Sequence, residues 1–319
     1  MINYDVFNGD ADGICALLQL RLAEPKESQL ITGVKRDINL LRRVQANAGD
    51  CITVLDISMA KNQADLHRLL NTGAEVFYVD HHFAGDVPSS AALKTLINEA
   101  ADVCTSLLVN HYLRGAYVAW GIVGTFGDNL KKSAMGMAKN IDLSAEQLQQ
   151  LEDLGTYLNY NGYGSALDEL HFNPAKLYQL ASHYASPLDF VVAEADTYGK
   201  LEAGYQQDLS AAQAMKAVTA NKAIAVFTLP DKPWARRVSG VFGNQLANQN
   251  PDRGHAVLTA KNNGNFLVSV RAPLNNKVGA ASLCRQFATG GGREAAAGIN
   301  DLPADKLDQF IDLFTKAYL

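Results

Sequence analysis

Three short apolar runs in the first eighty residues each lead straight into acidic residues. Asn3–Phe7 leads into Asn8-Gly9-Asp10-Ala11-Asp12-Gly13, Cys51–Leu55 into Asp56, and Glu75–Val79 into Asp80-His81-His82. Between them, Gly13–Ala23 and Ala60–Leu70 carry apolar residues at helical spacing, and Asn71-Thr72-Gly73 is a helix stop. Strand, helix, strand at this spacing calls for an α/β fold with a parallel sheet and helices on both faces. In such a sheet all carboxyl ends lie on one edge, where open α/β folds place their sites. Asp10, Asp12, Asp56 and His81 converge on that edge.

A fourth piece is the apolar, glycine-rich segment Gly121–Asn129, which contains Asp128. Taken singly, Asp-x-Asp-Gly is an ordinary turn or helix cap, Asp56 a cap for the next helix, and Asp80-His81-His82 a solvated loop. Taken together, they put several carboxylates and imidazoles side by side. Like charges raise one another's pKa and cost stability, and a divalent cation pair resolves the conflict. Oxygen-rich ligands with one or two histidines suit Mn²⁺ or Mg²⁺ better than Zn²⁺.

The 319 residues suffice for two domains. Ala101 to about Ala193 reads as mostly helical, including Ser144–Leu158 with a Ser-x-x-Gln capping signal. A polar helix around Tyr198–Thr219 then leads to a second unit. That unit opens with a strand, Lys222–Thr228. A strand pair follows, His255–Ala260 and Phe266–Arg271, joined by an Asn-Gly hairpin at Lys261-Asn262-Asn263-Gly264-Asn265. We therefore expect a domain over 1–195, a helical linker over 196–220 and a smaller domain over 221–319.

The longest apolar runs, such as Ile224–Leu229, are strand-sized and too short to cross a membrane. The start, Met1-Ile2-Asn3-Tyr4-Asp5, lacks a secretory pattern. The scattered Cys15, Cys51, Cys104 and Cys284 read as buried thiols, and a cytoplasmic protein is the expectation. From Asn221 onward 12 basic residues face 7 acidic ones, whereas the preceding part is acidic. This fits metal binding in one half and anion handling in the other.

Asp10-Ala11-Asp12-Gly13, Asp56, Asp80-His81-His82 and Asp128 resemble the four N-terminal motifs of the DHH phosphoesterases. Gly290-Gly291-Gly292-Arg293-Glu294-Ala295-Ala296-Ala297-Gly298 resembles the glycine-rich signature of their associated DHHA1 domain. The resemblance implies a doubly wound, mostly parallel DHH domain, a helical linker and a smaller α/β DHHA1 domain. It also implies two Mn²⁺ ions between the domains, with Mg²⁺ or another divalent cation as substitutes. By that resemblance Asp10 binds one ion and Asp12 the other, Asp56 bridges them, His81 and Asp128 complete the second site, and His82 faces the substrate phosphate beside Asp80. Two departures stand out. Many relatives carry a histidine near Asp10 where this chain offers Asn8, a weaker neutral ligand. Arg293 replaces the histidine of the usual Gly-Gly-Gly-His, and arginine grips phosphate or a guanine edge bidentately.

In the second domain, Gly290, Gly291 and Gly292 would let backbone N–H groups approach an anion, with a flexible turn as the ordinary alternative. Arg271 stands where relatives carry a nucleotide-facing basic residue, and serves equally as a strand-end surface charge. Thr105 and Ser106 resemble a hydroxyl-bearing helix start near the substrate, or else form an N-cap. Tyr157, Tyr160 and Tyr163, with Asn159 and Asn161, favour packing between domains over base stacking. His111, His171 and His183 read as structural, and Arg236 and Arg237 as a basic surface.

The two-domain size resembles that of nanoRNases and archaeal oligoribonucleases. The function this implies is Mn²⁺-dependent hydrolysis of short oligoribonucleotides, dinucleotides such as pGpG above all, to 5′-mononucleotides. The expected partners are short RNA or a dinucleotide, with neither a membrane nor long nucleic acid, and a homodimer is compatible with this. Alternatives are a phosphatase acting on the 3′,5′-bisphosphate pAp, a cyclic-dinucleotide phosphodiesterase and a non-catalytic nucleotide sensor.

Overall fold

A computed structural model describes residues 1–319, and the chain divides into two units, Met1–Glu202 and Ala203–Leu319. The first opens with β1 (Asn3–Phe7), α1 (Ala11–Ala23), β2 (Gln29–Ile31), β3 (Cys51–Leu55), α2 (Gln63–Asn71), β4 (Glu75–Asp80) and β5 (Leu93–Ile97). These strands form one wholly parallel sheet in the order β2-β1-β3-β4-β5. The register sets Phe7 beside Leu55 and Leu55 beside Val79, so Asn8, Asp56 and Asp80 follow at one sheet edge.

Strand alternation divides the faces. Tyr4, Val6, Ile52, Val54, Val76 and Tyr78 pack with Leu66 and Leu69 of α2 on one side. On the other, Phe7 meets Tyr178 and Asp5 pairs with Arg21 of α1, both charges buried. Asp5 also accepts from Ser28 Oγ, and Arg21 donates to Thr53 Oγ1, so the pair is satisfied where β1 crosses the core.

A helical layer completes this unit: α3 (Thr105–Tyr112), α4 (Val118–Gly127), α5 (Lys131–Ala138), α6 (Ala145–Asn161), α7 (Pro174–Ala181) and α8 (Pro187–Ala193). α6 starts on a full capping box, with Ser144 and Gln147 each satisfying the other's backbone N–H. α4 packs on α1, α3 and α6. Its glycines let those helices come close: a Cβ at Gly127 would lie 2.3 Å from the Ala11 Cβ, and one at Gly124 2.1 Å from Ser106 Oγ.

α9 (Ala195–Gln213) carries the chain across the division. The second unit holds β6 (Ala217–Ala220), β7 (Ile224–Leu229), α10 (Pro233–Gln249), β8 (Gly254–Ala260), β9 (Phe266–Arg271), α11 (Ala280–Cys284), β10 (Gly290–Gly292), β11 (Ala296–Leu302) and α12 (Leu307–Tyr318). Its sheet runs β10-β11-β9-β8-β7-β6 and is antiparallel except for β7–β8. α11 and α12 cover one face through Leu283, Cys284, Phe310 and Phe314, and α10 packs on β8 and β9. The expected Asn-Gly hairpin joins β8 to β9, with Gly264 at φ +82 in the left-handed region that glycine tolerates.

Candidate functional site

The sheet edge gathers Asp12, Asp56, His81 and Asp128. His81 follows β4 and is buried, and its Nδ1 lies 2.7 Å from the carbonyl of Val103. A carbonyl only accepts, so Nδ1 is the donor here, and it is Nε2 whose lone pair the ring would offer a metal ion. That lone pair stands 3.3 Å from Asp56 Oδ1, 3.8 Å from Asp12 Oδ2 and 4.0 Å from Asp128 Oδ2. These separations are long for hydrogen bonds. They suit donor atoms arranged around one ion with bonds of about 2.1 Å. The carbonyl behind the imidazole is the usual support of a metal-ligating histidine.

Asp12, in the first turn of α1, is held by another helix. Its Oδ2 accepts from the Thr105 N–H at 2.8 Å and its Oδ1 from the Ser106 N–H at 2.6 Å, both at the start of α3. The carboxylate thus satisfies the open N–H groups of α3 and sits at the positive end of its dipole. Thr105 Oγ1 donates to Asp56 Oδ1 at 3.2 Å, and Ser106 Oγ to the Asp12 carbonyl at 2.8 Å. Thr105 and Ser106 are fully buried. The structure therefore makes them supports for two carboxylates, in place of the substrate contacts or simple N-cap read from the sequence.

Asp56 follows β3 with φ +59, a conformation few non-glycine residues adopt. Burial first, then the charges of Asp10 and Asp12, push its carboxyl well above the usual range. Burial likewise raises Asp12, against the opposing charge of His81. Strained backbone plus mutually repelling buried carboxylates, facing an imidazole lone pair, is a donor set that a divalent cation would relieve.

Behind this group, Asp80 Oδ1 accepts from His82 Nδ1 at 2.7 Å. Phe83, passed over in the sequence, follows as an exposed aromatic ring. At the other end of the cluster, Asp10 caps α1 by accepting from Gly13 N–H, and its second oxygen pairs with the ammonium of Lys35. Asn8 is buried, and its Nδ2 donates to the Lys35 carbonyl at 3.3 Å. Lys35 was missed in the sequence, although it lies just past the carboxyl end of β2, where the parallel-sheet rule would have sought it.

Other expectations are corrected. Gly290–Gly292 are a strand, β10, paired with β11, so they form neither a nest nor a flexible turn. The Gly290 N–H is committed to the Phe287 carbonyl, and a Cβ there would lie 1.7 Å from the Cys284 carbonyl oxygen. Arg293 sits half-exposed in the turn between β10 and β11. Arg271 is pinned by Asn244 Oδ1 at 2.6 Å and by the Gly240 carbonyl. Arg236 pairs with Asp231 and Arg237 with Asp208, so neither is a free basic surface. Tyr157, Tyr160 and Tyr163 are buried, and Tyr160 bonds His171 within the first unit. Asn161 braces the Phe172 backbone through both its polar atoms, while Asn159 Oδ1 accepts from Lys35.

The fold is similar to that of solved metal-bound exonuclease and phosphodiesterase structures, as the resemblance of the sequence motifs leads one to expect. The chain is similar to the exonuclease RecJ bound to manganese, with a TM-score of 0.62 and 17% identity over 99% of this chain and 89% of that one. It is similar to RecJ in complex with Mn²⁺ from Thermus thermophilus, at TM-score 0.63 and 17% identity, covering 99% of this chain and 52% of that one. This chain thus spans about half the length of that protein. It is also similar to the pGpG-specific phosphodiesterase PggH from Vibrio cholerae, at TM-score 0.56 and 13% identity, covering 99% of both chains. No protein-family model and no curated protein sequence matches the chain. No helix is long and apolar enough to cross a membrane.

Proposed function

We propose that this chain is a divalent-metal-dependent phosphodiesterase that hydrolyses short oligoribonucleotides, above all dinucleotides such as pGpG, to 5′-mononucleotides. The observation that carries the reading is the His81 lone pair, fixed by Val103 and facing Asp12, Asp56 and Asp128. Those four side chains would hold the ion, with Mn²⁺ favoured for this mixed oxygen and imidazole set. A bound divalent ion supplies Lewis-acid polarisation of the phosphate and a more acidic water.

The chain's own groups do the rest. Asp80 fixes the His82 ring through Nδ1, which leaves Nε2 to hydrogen-bond a phosphate oxygen or a leaving group. Phe83, 63% exposed, offers a nucleobase a stacking face. The match to PggH over the full length of both chains favours a dinucleotide over a long polymer.

The test offers the full chain with Mn²⁺ a panel of pGpG and other dinucleotides, a five-to-seven-mer RNA, pAp and cyclic di-GMP. We expect dinucleotides to yield mononucleotides, and Asp56→Asn to abolish turnover. Asn is the appropriate replacement because it tolerates the positive φ at this position. Turnover of pAp or cyclic di-GMP alone would move the assignment to that substrate. Nucleotide binding without turnover of anything would make the protein a sensor.

A further inference from the structure

We infer that Lys35 stands in for one metal ion: its ammonium neutralises Asp10, and the centre takes a single divalent cation, held by Asp12, Asp56, His81 and Asp128. The inference rests on the metal-dependent reading above and changes its composition, since the sequence resemblance implies two ions with Asn8 and Asp10 serving the first.

Lys35 is placed by its surroundings at both backbone and side chain. Its N–H donates to the Gly162 carbonyl at 2.8 Å, and its own carbonyl accepts from Asn8 Nδ2 at 3.3 Å. The ammonium pairs with Asp10 Oδ2, donates to Asn159 Oδ1 at 2.9 Å and lies 5.2 Å from the centre of the Tyr163 ring. The Asp10 side chain is 3% exposed and that of Lys35 21%. This is a built site for a cation, in which the cation is already part of the chain.

The same contacts leave little for a second ion. Asp10 Oδ1 accepts from Gly13 N–H at 3.1 Å, and Oδ2 is taken by the ammonium. An ammonium has three donors and no acceptor, so it cannot ligate a metal, and it repels one brought to the same oxygen. Asn8 brings no imidazole; its amide nitrogen is turned to the Lys35 backbone, and its buried, unpartnered Oδ1 is a single neutral donor, too little by itself to hold an ion against the ammonium on Asp10. By contrast, Asp12, His81 and Asp128 offer three donor atoms lying within 4.8 Å of one another, and Asp56 Oδ1 stands 3.3 Å from the same His81 nitrogen. Two of the three Lys35 donors are used by Asp10 and Asn159, which leaves one for a phosphate oxygen.

The experiment counts metal. The full chain, stripped with chelator and equilibrated with Mn²⁺ alone, is analysed for bound manganese by mass spectrometry and for Mn²⁺ coupling by electron paramagnetic resonance. We expect one tight equivalent with the six-line signal of an isolated ion. In Lys35→Met, which keeps length and removes charge, we expect a second equivalent and an exchange-coupled signal. Two tight equivalents with a coupled signal in the wild type would overturn the inference and leave the metal-dependent reading intact. Lys35→Met that folds and still binds one equivalent would show that the ammonium does not displace an ion, and would also overturn it. No bound Mn²⁺ in the wild type would sink the metal-dependent reading itself. If Lys35→Met fails to fold, the wild-type count and spectrum decide.

Discussion

The buried carboxylate of Asp80 accepts a 2.7 Å hydrogen bond from Nδ1 of His82, whose ring is one-third exposed. Burial pushes the Asp80 carboxyl up, but the charge of His82, its hydrogen bond and the charge of His81 outweigh burial and hold it below its ordinary value. Asp80 therefore stays ionised, keeps a proton on Nδ1 and fixes the orientation of the ring. Asp80→Asn should lower kcat on the dinucleotide substrate by about 10–100-fold, the usual cost of losing such a support. Manganese binding should be retained, because Asp80 is no ligand in this arrangement. Calorimetric titration beside steady-state kinetics checks this; equal losses of metal affinity and kcat would assign Asp80 to the metal site instead.

Asp12 and Asp56 predict how metal binding depends on pH. Both carboxyls are raised by burial and by neighbouring charge. A carboxyl held above its unfolded value keeps its proton in the folded state, and folding stability falls as pH rises through that interval. A divalent ion requires the deprotonated form, so it competes with protons at low pH and relieves the repulsion at high pH. Excess Mn²⁺ should raise Tm more at pH 8 than at pH 5. At a free concentration one hundred times Kd, the stabilisation is about 2.7 kcal/mol. Equal shifts at both values in a thermal melt would mean that these carboxylates do not bind the ion.

Strands were legible where an apolar run had its own β-rich character, as in Asn3–Phe7, Cys51–Leu55 and Phe266–Arg271, whose limits coincide with β1, β3 and β9. β2, β5, β6, β10 and β11 were not. Gln29–Ile31 is short, Gly290–Gly292 has no side chains, and Ala296–Leu302 begins Ala-Ala-Gly, so pairing with neighbours and not composition makes them strands. Missing β2 also hid Lys35. The rule that brought Asp56 and His81 to one edge applies to the residues after every parallel strand, but only strands already recognised can be searched. Thr105 and Ser106 were visible as a helix start. That the cap would come from Asp12, more than ninety residues earlier, is a tertiary fact no local pattern carries.

The glycines of α4 permit a test of packing behind the site. A methyl group at Gly127 would meet the Ala11 Cβ at 2.3 Å and the Gly155 carbonyl oxygen at 2.8 Å, neither of them a flexible side-chain end. Gly127→Ala should destabilise the protein by about 3 kcal/mol, the upper end for overpacking. Because Asp128 is the next residue, manganese affinity should fall with it. Gly136, inside α5, meets nothing within 4 Å, so Gly136→Ala should stabilise by up to about 1 kcal/mol. Denaturant titration of both variants checks the contrast, and equal effects would mean that α4 does not pack on α1 as described.

His255 gives the second unit an acid sensitivity of its own. It lies on β8, buried, opposite Arg271 of β9 in the strand register. Burial, reinforced by the charge of Arg253, pushes its pKa down to about 4. The unfolded chain takes up a proton near pH 6.5, whereas the folded state refuses it until about pH 4. Between those values the unfolded state binds more protons, so stability falls as pH falls across this window. The full effect is about 3 kcal/mol at its acid end. His255→Leu removes the titrating group and should flatten the stability curve over this range, while Asp12 and Asp56 continue to titrate in the first unit. Denaturant midpoints measured from pH 7 to pH 4 decide the matter. If wild type and His255→Leu lose stability in parallel, the buried imidazole is not the source of the acid sensitivity.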